Sequence, residues 1–160
     1  MIRTHHRQPT LWTGFLKDEV NDLWEPWMRH ADQVLDDERL IDLVFEAQGR
    51  RWAKSRTRGR MQTPTEVVLR LLVLKHIRDW SYQTLEREVR ANLVYRSFAR
   101  IGGEKVPDAK TMGRLGQAIG GEVIAQLHRR VVELALERKV VVGRKMRDHG
   151  YGSSSLLVIG

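Results

Sequence analysis

Over the first 140 residues apolar positions recur at helical spacing, which predicts an all-α, multi-helix bundle. Pro26 suits the first turn of a helix running to about Leu35. Asp36 or Asp37 offers an N-cap to the next helix, whose segment ERLIDLVFEA places Leu40, Val44 and Phe45 on one face, with Gly49 as its C′ residue. Thr63-Pro64-Thr65-Glu66 has the form of a capping box, Thr63 bonding forward to the amide at Glu66 and Glu66 reaching back. The helix it opens, to about Arg78, carries Val67, Val68, Leu69, Leu71, Leu72, Val73, Leu74 and Ile77. That is apolar nearly all round, so this helix is expected at the centre of the bundle. Arg70 and Lys75 interrupt the run, which is far too short to span a bilayer.

Later elements are shorter. Ser81 caps a helix with Tyr82, Leu85 and Val89 inward and Gln83, Arg87 and Arg90 outward. Asn92 caps a further turn or two carrying Leu93, Val94, Tyr95 and Phe98, and IGGEKV reads as a turn. Asp108 is the expected N-cap of AKTMGRLGQAIG, where Gly113, Gly116 and Gly120 each cost roughly 1 kcal/mol relative to Ala inside a helix. Close approach of a neighbouring helix would compensate at Gly113 and Gly116, and Gly120 is expected to end the element. Residues 122–139 then put Ile124, Leu127, Val131, Leu134 and Ala135 in one stripe, and Val140–Val142 could open a strand.

Charge divides the chain unevenly. Residues 1–49 hold five Lys or Arg against ten Asp or Glu, residues 50–60 hold six basic and no acidic side chains, and residues 61–160 hold seventeen against ten. A polyanion is therefore attracted to everything after residue 49. With no cysteine there is no disulfide, thiolate metal site or thiol catalysis, and a reducing, cytoplasmic setting fits. The N-terminus lacks an apolar stretch of signal-peptide length. Four stretches are expected: an acidic, Trp-rich helical segment (1–49), a basic linker (50–62), a helical DNA-binding domain (63–139) and a tail (140–160).

The chemistry-bearing residues point away from catalysis within the chain. The histidines at 5, 6, 30, 76, 128 and 149 form no His-x-x-x-His pair and no cluster with carboxylates at ligand spacing. Gly-x-Ser-x-Gly, a phosphate loop and a dinucleotide fingerprint are all missing. Short helices joined by tight turns, with basic and amide side chains outward, match the helix-turn-helix way of presenting a recognition helix. Lys110, Thr111, Arg114 and Gln117 are residue types that read purine edges or clamp phosphates. Arg87, Arg90, Arg96 and Arg100 are candidates for backbone contacts, and Arg50, Arg51, Lys54, Arg56, Arg58 and Arg60 for salt-sensitive affinity.

The motifs LKHIRDWSY, EREVRANLVYR and VPDAKTMGR are long and specific, and the run from Thr63 to Gly116 that contains them resembles the N-terminal region of bacterial insertion-sequence transposases of the InsH-like DDE type. The similarity extends from about Leu11 to Arg147. It implies a helical domain that binds the terminal inverted repeats of the element, followed by an RNase H-like domain in which three carboxylates hold two divalent metal ions such as Mg. In such relatives GRKMR leads into a strand whose Asp is the first metal ligand. Here GRKMR (143–147) is followed by Asp148-His149-Gly150-Tyr151-Gly152 and a Gly/Ser-rich, then apolar, end. The expectation is a poorly ordered tail translated from a shifted frame and a chain that is catalytically incomplete, without cofactor of its own.

The resulting expectation is a nucleoid-associated, double-stranded-DNA-binding fragment that pairs with a second copy or with full-length transposase and touches no membrane. Two alternatives stand beside it: an oligomerisation fragment using the exposed apolar stripe from Ile124 to Leu134, and an inert remnant whose VVV and LLVI segments lack a sheet to join.

Overall fold

The computed structural model describes residue 4, residues 19–51 and residues 63–137. Its helices are α1 (Pro26–Leu35), α2 (Glu38–Arg51), α3 (Thr65–Ile77), α4 (Tyr82–Ala91), α5 (Leu93–Phe98) and α6 (Ala109–Glu137). Residues 19–22 are helical as well, and no strand occurs among the described residues. The fold is all-α, as the periodicity predicts. The strand expected at 140–142, the tail and the arm cations Lys54, Arg56, Arg58 and Arg60 lie outside the described residues.

α3 is the axis of the bundle. Val67, Val68, Leu69, Leu71 and Leu74 are buried, and they join Met28, Leu40, Ile41, Val44, Leu85, Val89, Phe98, Met112, Leu115 and Ile119 in one core. The acidic N-terminal helices thus share a core with the later described helices. Phe98 is the hub on one side, with Trp24 and Trp27 meeting its ring edge-on at centroid distances of 5.8 and 5.2 Å.

Helix starts follow local chemistry with one exception. Pro26 opens α1, Asp37 accepts from the Arg39 amide at the start of α2 (3.0 Å), Ser81 from the Thr84 amide (3.1 Å), Asn92 from the Val94 amide (2.8 Å) and Asp108 from the Thr111 amide (2.7 Å). The exception is α3. No side chain caps it, and the Thr63–Glu66 capping box does not form. Instead the Glu66 amide donates to the Thr4 carbonyl (3.1 Å), and the Glu66 carboxylate turns inward to Arg100. Thr65, wholly buried, donates from its hydroxyl to the side-chain oxygen of Gln48 at 3.0 Å. Tertiary partners outcompete the local box because Glu66, at 4% exposure, is too deep to curl back along its own helix.

Two further expectations change. Gly49 does not end α2: it is buried inside the helix, which continues through Arg50 and Arg51 into the stretch read as linker. In the second half of α6 Val123 (5% exposed) faces the core, whereas Ile124 is half open to solvent at 52%. Leu127 and Val131 pack at the margin and Leu134 is buried. Gly120 does break the helix: at φ 71°, ψ 164° it separates two helical halves within α6.

Candidate nucleic-acid interface

α4 and the first half of α6 pack together through the glycines that a helix ordinarily avoids. A Cβ on Gly113 would sit 3.7 Å from the Tyr82 ring, and one on Gly116 would overlap the Tyr82 hydroxyl. The ring of Tyr82 lies in the notch they leave, with the Lys75 ammonium 4.9 Å from its centroid. With Met112, Leu115 and Ile119 turned into the core, Lys110, Arg114 and Gln117 are carried on the opposite face of α6, flanking the glycine notch, and are exposed. They make no hydrogen bond or ion pair among the described residues. Thr111 is half-buried beside the Asp108 cap.

α4 adds a second row. Gln83, Arg87 and Arg90 point outward as their spacing predicts. Arg87 pairs with neighbouring Glu88 at 2.8 Å and Arg90 with Glu86 at 2.8 Å. Exposed pairs of this kind hold their cations loosely. Glu86 also accepts the Ala109 amide at 2.6 Å, so one carboxylate links Arg90 on α4 to the start of α6. Asp108 lies at the same end. Its carboxyl is held below the ordinary value by the Thr111 amide and hydroxyl, with smaller contributions from the charges of Lys105 and Arg114. Arg90, Lys105 and Arg114 therefore gather around the junction of α4 and α6.

Arg96 and Arg100 do not join this face. The Arg96 guanidinium donates to the carbonyls of Gly102 (3.0 and 2.7 Å) and Glu104 (2.7 Å) in the loop that follows α5. Arg100 reaches into the bundle, pairing with Asp36 at 2.6 Å, Asp32 at 3.1 Å and Glu66 at 3.4 Å. Nearby, Arg70 is fully buried and pairs with Asp32 (2.6 Å) and Asp36 (2.8 Å) while donating to the Phe98 carbonyl (3.2 Å). Burial pushes the Asp36 carboxyl up, but the hydrogen bond and charge of Arg100, with Arg70 behind it, outweigh that and hold it below its ordinary value. Arg78 pairs with Glu25 and lies over the rings of Tyr95 and Trp27, 5.7 and 5.8 Å from their centroids.

Sequence reasoning read Arg70 only as an interruption of an apolar run. A lone arginine in an otherwise apolar helix, in a chain with an acidic N-terminal block, is the signal for a buried ion pair. Of the arm cations, Arg50 is exposed on the last turn of α2, where it lines a shallow cavity of about 270 Å³ with Ala47, Ala118 and Ile119. Arg51 closes that helix.

Among the described residues no group of three or more His, Asp or Glu side chains is arranged to hold a metal ion, and no helix is long and apolar enough to cross a membrane. Neither a curated protein nor a solved structure matches the chain. One family model does, described as a transposase domain (DUF772), over residues 23–117. That span runs from just before α1 to the last residue of the exposed Lys110, Arg114, Gln117 row, and it covers more than half of the sequence. The chain belongs to the transposase-domain family (DUF772).

Proposed function

We propose that these helices are the DNA-binding part of a transposase and recognise double-stranded DNA at the terminal inverted repeats of the element. α4 and the first half of α6 serve as a helix-turn-helix-like pair, with α6 as recognition helix. The observation that carries this reading is the row Lys110, Arg114 and Gln117, exposed and uncommitted next to arginines that are engaged elsewhere. Lys and Arg clamp phosphate or guanine, and Gln pairs with adenine. Arg87, Arg90 and Arg50, and Arg51 with the following cations Lys54, Arg56, Arg58 and Arg60, supply affinity for the phosphate backbone.

The domain contributes recognition, not hydrolysis. Its inner carboxylates Asp32, Asp36 and Glu66 already neutralise Arg70 and Arg100, which supports a catalytic metal centre being no part of these helices. The expected setting is the cytoplasm, on the nucleoid.

Fluorescence anisotropy of a labelled inverted-repeat duplex, beside a scrambled duplex and over a salt series, tests the reading. Preference for the repeat is expected, and Arg114→Ala should lower the slope of log affinity against log salt by about 0.9 if it meets one phosphate. Equal binding to both duplexes would reduce the domain to a basic surface.

A second reading rests on Ile124, exposed at 52% beside Leu127 and Val131. This stripe is an apolar edge on which two copies can associate. Sedimentation that stays monomeric at high concentration would remove it.

A further inference from the structure

We infer that Arg96 is a positioning residue for DNA recognition: it clamps the loop between α5 and α6 and thereby sets where α6 begins. The inference rests on the DNA-binding reading above. Composition alone puts Arg96 among the phosphate contacts, but its Nε and Nη2 donors are engaged by backbone carbonyls within the protein.

The loop needs such a clamp. Residues 99–108 hold no regular structure, yet they deliver α6 to its place against α4. Backbone turns fix the loop's first half: the Ile101 amide donates to the Arg96 carbonyl (3.1 Å) and the Glu104 amide to the Ile101 carbonyl (3.2 Å). Arg100 and Gly102 both take positive φ there, 56° and 58°. Ile101 and Val106, each 3% exposed, anchor the loop in the core at its two ends. Between those anchors the carbonyls of Gly102 and Glu104 face one guanidinium, which takes both through Nε and Nη2.

That fork geometry belongs to arginine. A lysine keeps the charge but donates from a single point and cannot hold two carbonyls in a fixed plane. A phosphate taking the Nε/Nη2 edge of Arg96 would have to displace these bonds. Losing the clamp lets the start of α6 shift, and Lys110 and Arg114 lie within its first two turns. Base contacts depend on that placement, whereas general attraction to phosphate does not.

Arg96→Lys and Arg96→Ala, beside Arg114→Ala, distinguish the two roles in the anisotropy assay with inverted-repeat and scrambled duplexes. For Arg96→Lys the preference for the repeat should fall roughly tenfold, about the effect of one mismatched base pair, with affinity for the scrambled duplex unchanged. For Arg96→Ala the salt slope should match that of the unaltered protein. A slope lowered by about 0.9, as for a lost phosphate contact, would overturn the proposal. So would an Arg96→Lys protein that keeps the full preference. If Arg96→Ala does not fold, Arg96→Lys decides alone.

If the unaltered protein shows no preference at all, the functional reading fails and not the clamp. Amide hydrogen exchange then reads the clamp directly. Faster exchange in residues 101–106 of Arg96→Lys, with the rest of the bundle unaltered, is expected, and an unchanged pattern there would overturn it.

Discussion

Arg70 and Arg114 are the same residue type, forty-four positions apart, and their surroundings differ in every respect that matters. Arg70 is fully buried on α3 and locked between Asp32 and Asp36, while Arg114 stands in solvent on α6 with no hydrogen-bonded partner among the described residues. Around Arg70 the cations Arg100, Arg78 and Arg130 are also engaged, the last with Asp37 at 3.1 Å. The cations of the described residues therefore form two populations. One is neutralised by the acidic N-terminal helices and holds the bundle together, and the other remains for a partner. Net charge counts both alike, and only the second is open to a polyanion.

The sharpest way to break this comparison is to remove one arginine of each kind. Arg70→Ala leaves Asp32 and Asp36 with Arg100 as their shared cation and opens a hole beside Phe98. The cost should be about 3 kcal/mol, the lower end for breaking a buried pair, because both carboxylates are partly open to water. Arg114→Ala should change stability by less than about 0.5 kcal/mol. Urea denaturation followed by circular dichroism measures both, and equal losses would erase the distinction.

A smaller effect is expected where the two regions meet on α6. At φ 71°, ψ 164° Gly120 occupies backbone space that is essentially glycine-only, so Gly120→Ala should cost about 1–3 kcal/mol although a Cβ there touches nothing. Neighbouring Gly121, equally open, lacks that constraint, and Gly121→Ala should be neutral or slightly stabilising. Thermal melts of the pair separate backbone strain from packing.

The gentlest probe is acid. Asp36 and Asp37 titrate below the ordinary 3.8 in the folded protein. For Asp37, burial pushes up, but Arg130 and the amides of Arg39 and Leu40 pull down harder. A depressed carboxyl binds its proton less readily in the folded state than in the unfolded chain. Its stabilisation is thus fully present above 3.8 and fades as pH falls through the lower folded value. Stability against urea should hold from neutrality to about pH 4 and decline below it. A decline beginning near pH 6 would contradict this assignment.

Much of the fold was legible in the sequence. Ser81, Asn92 and Asp108 cap the helices their spacing implies, and Gly113 and Gly116 make room for a neighbour because only such contact offsets two glycines in a helix. Gly120 interrupts α6 as expected. What was illegible depended on distant partners. The Thr63–Glu66 motif is a good local box, yet Glu66 answers to Arg100, thirty-four residues away. Gly49 resembles a stop signal, but α2 continues because it packs along α6. The exposed Lys110, Arg114 and Gln117 row was visible from periodicity, whereas the commitment of Arg96 and Arg100 required knowing where the loop carbonyls and the α1 carboxylates lie.

The depth of the Arg70 network has a practical corollary. At 1 M salt the Debye length is about 3 Å, which silences exposed charges but weakens far less a network whose central guanidinium is wholly buried. If the proposed DNA binding holds, concentrated sodium chloride should strip nucleic acid from this protein while leaving the bundle folded, so a high-salt wash during purification would prepare the domain for the binding assays.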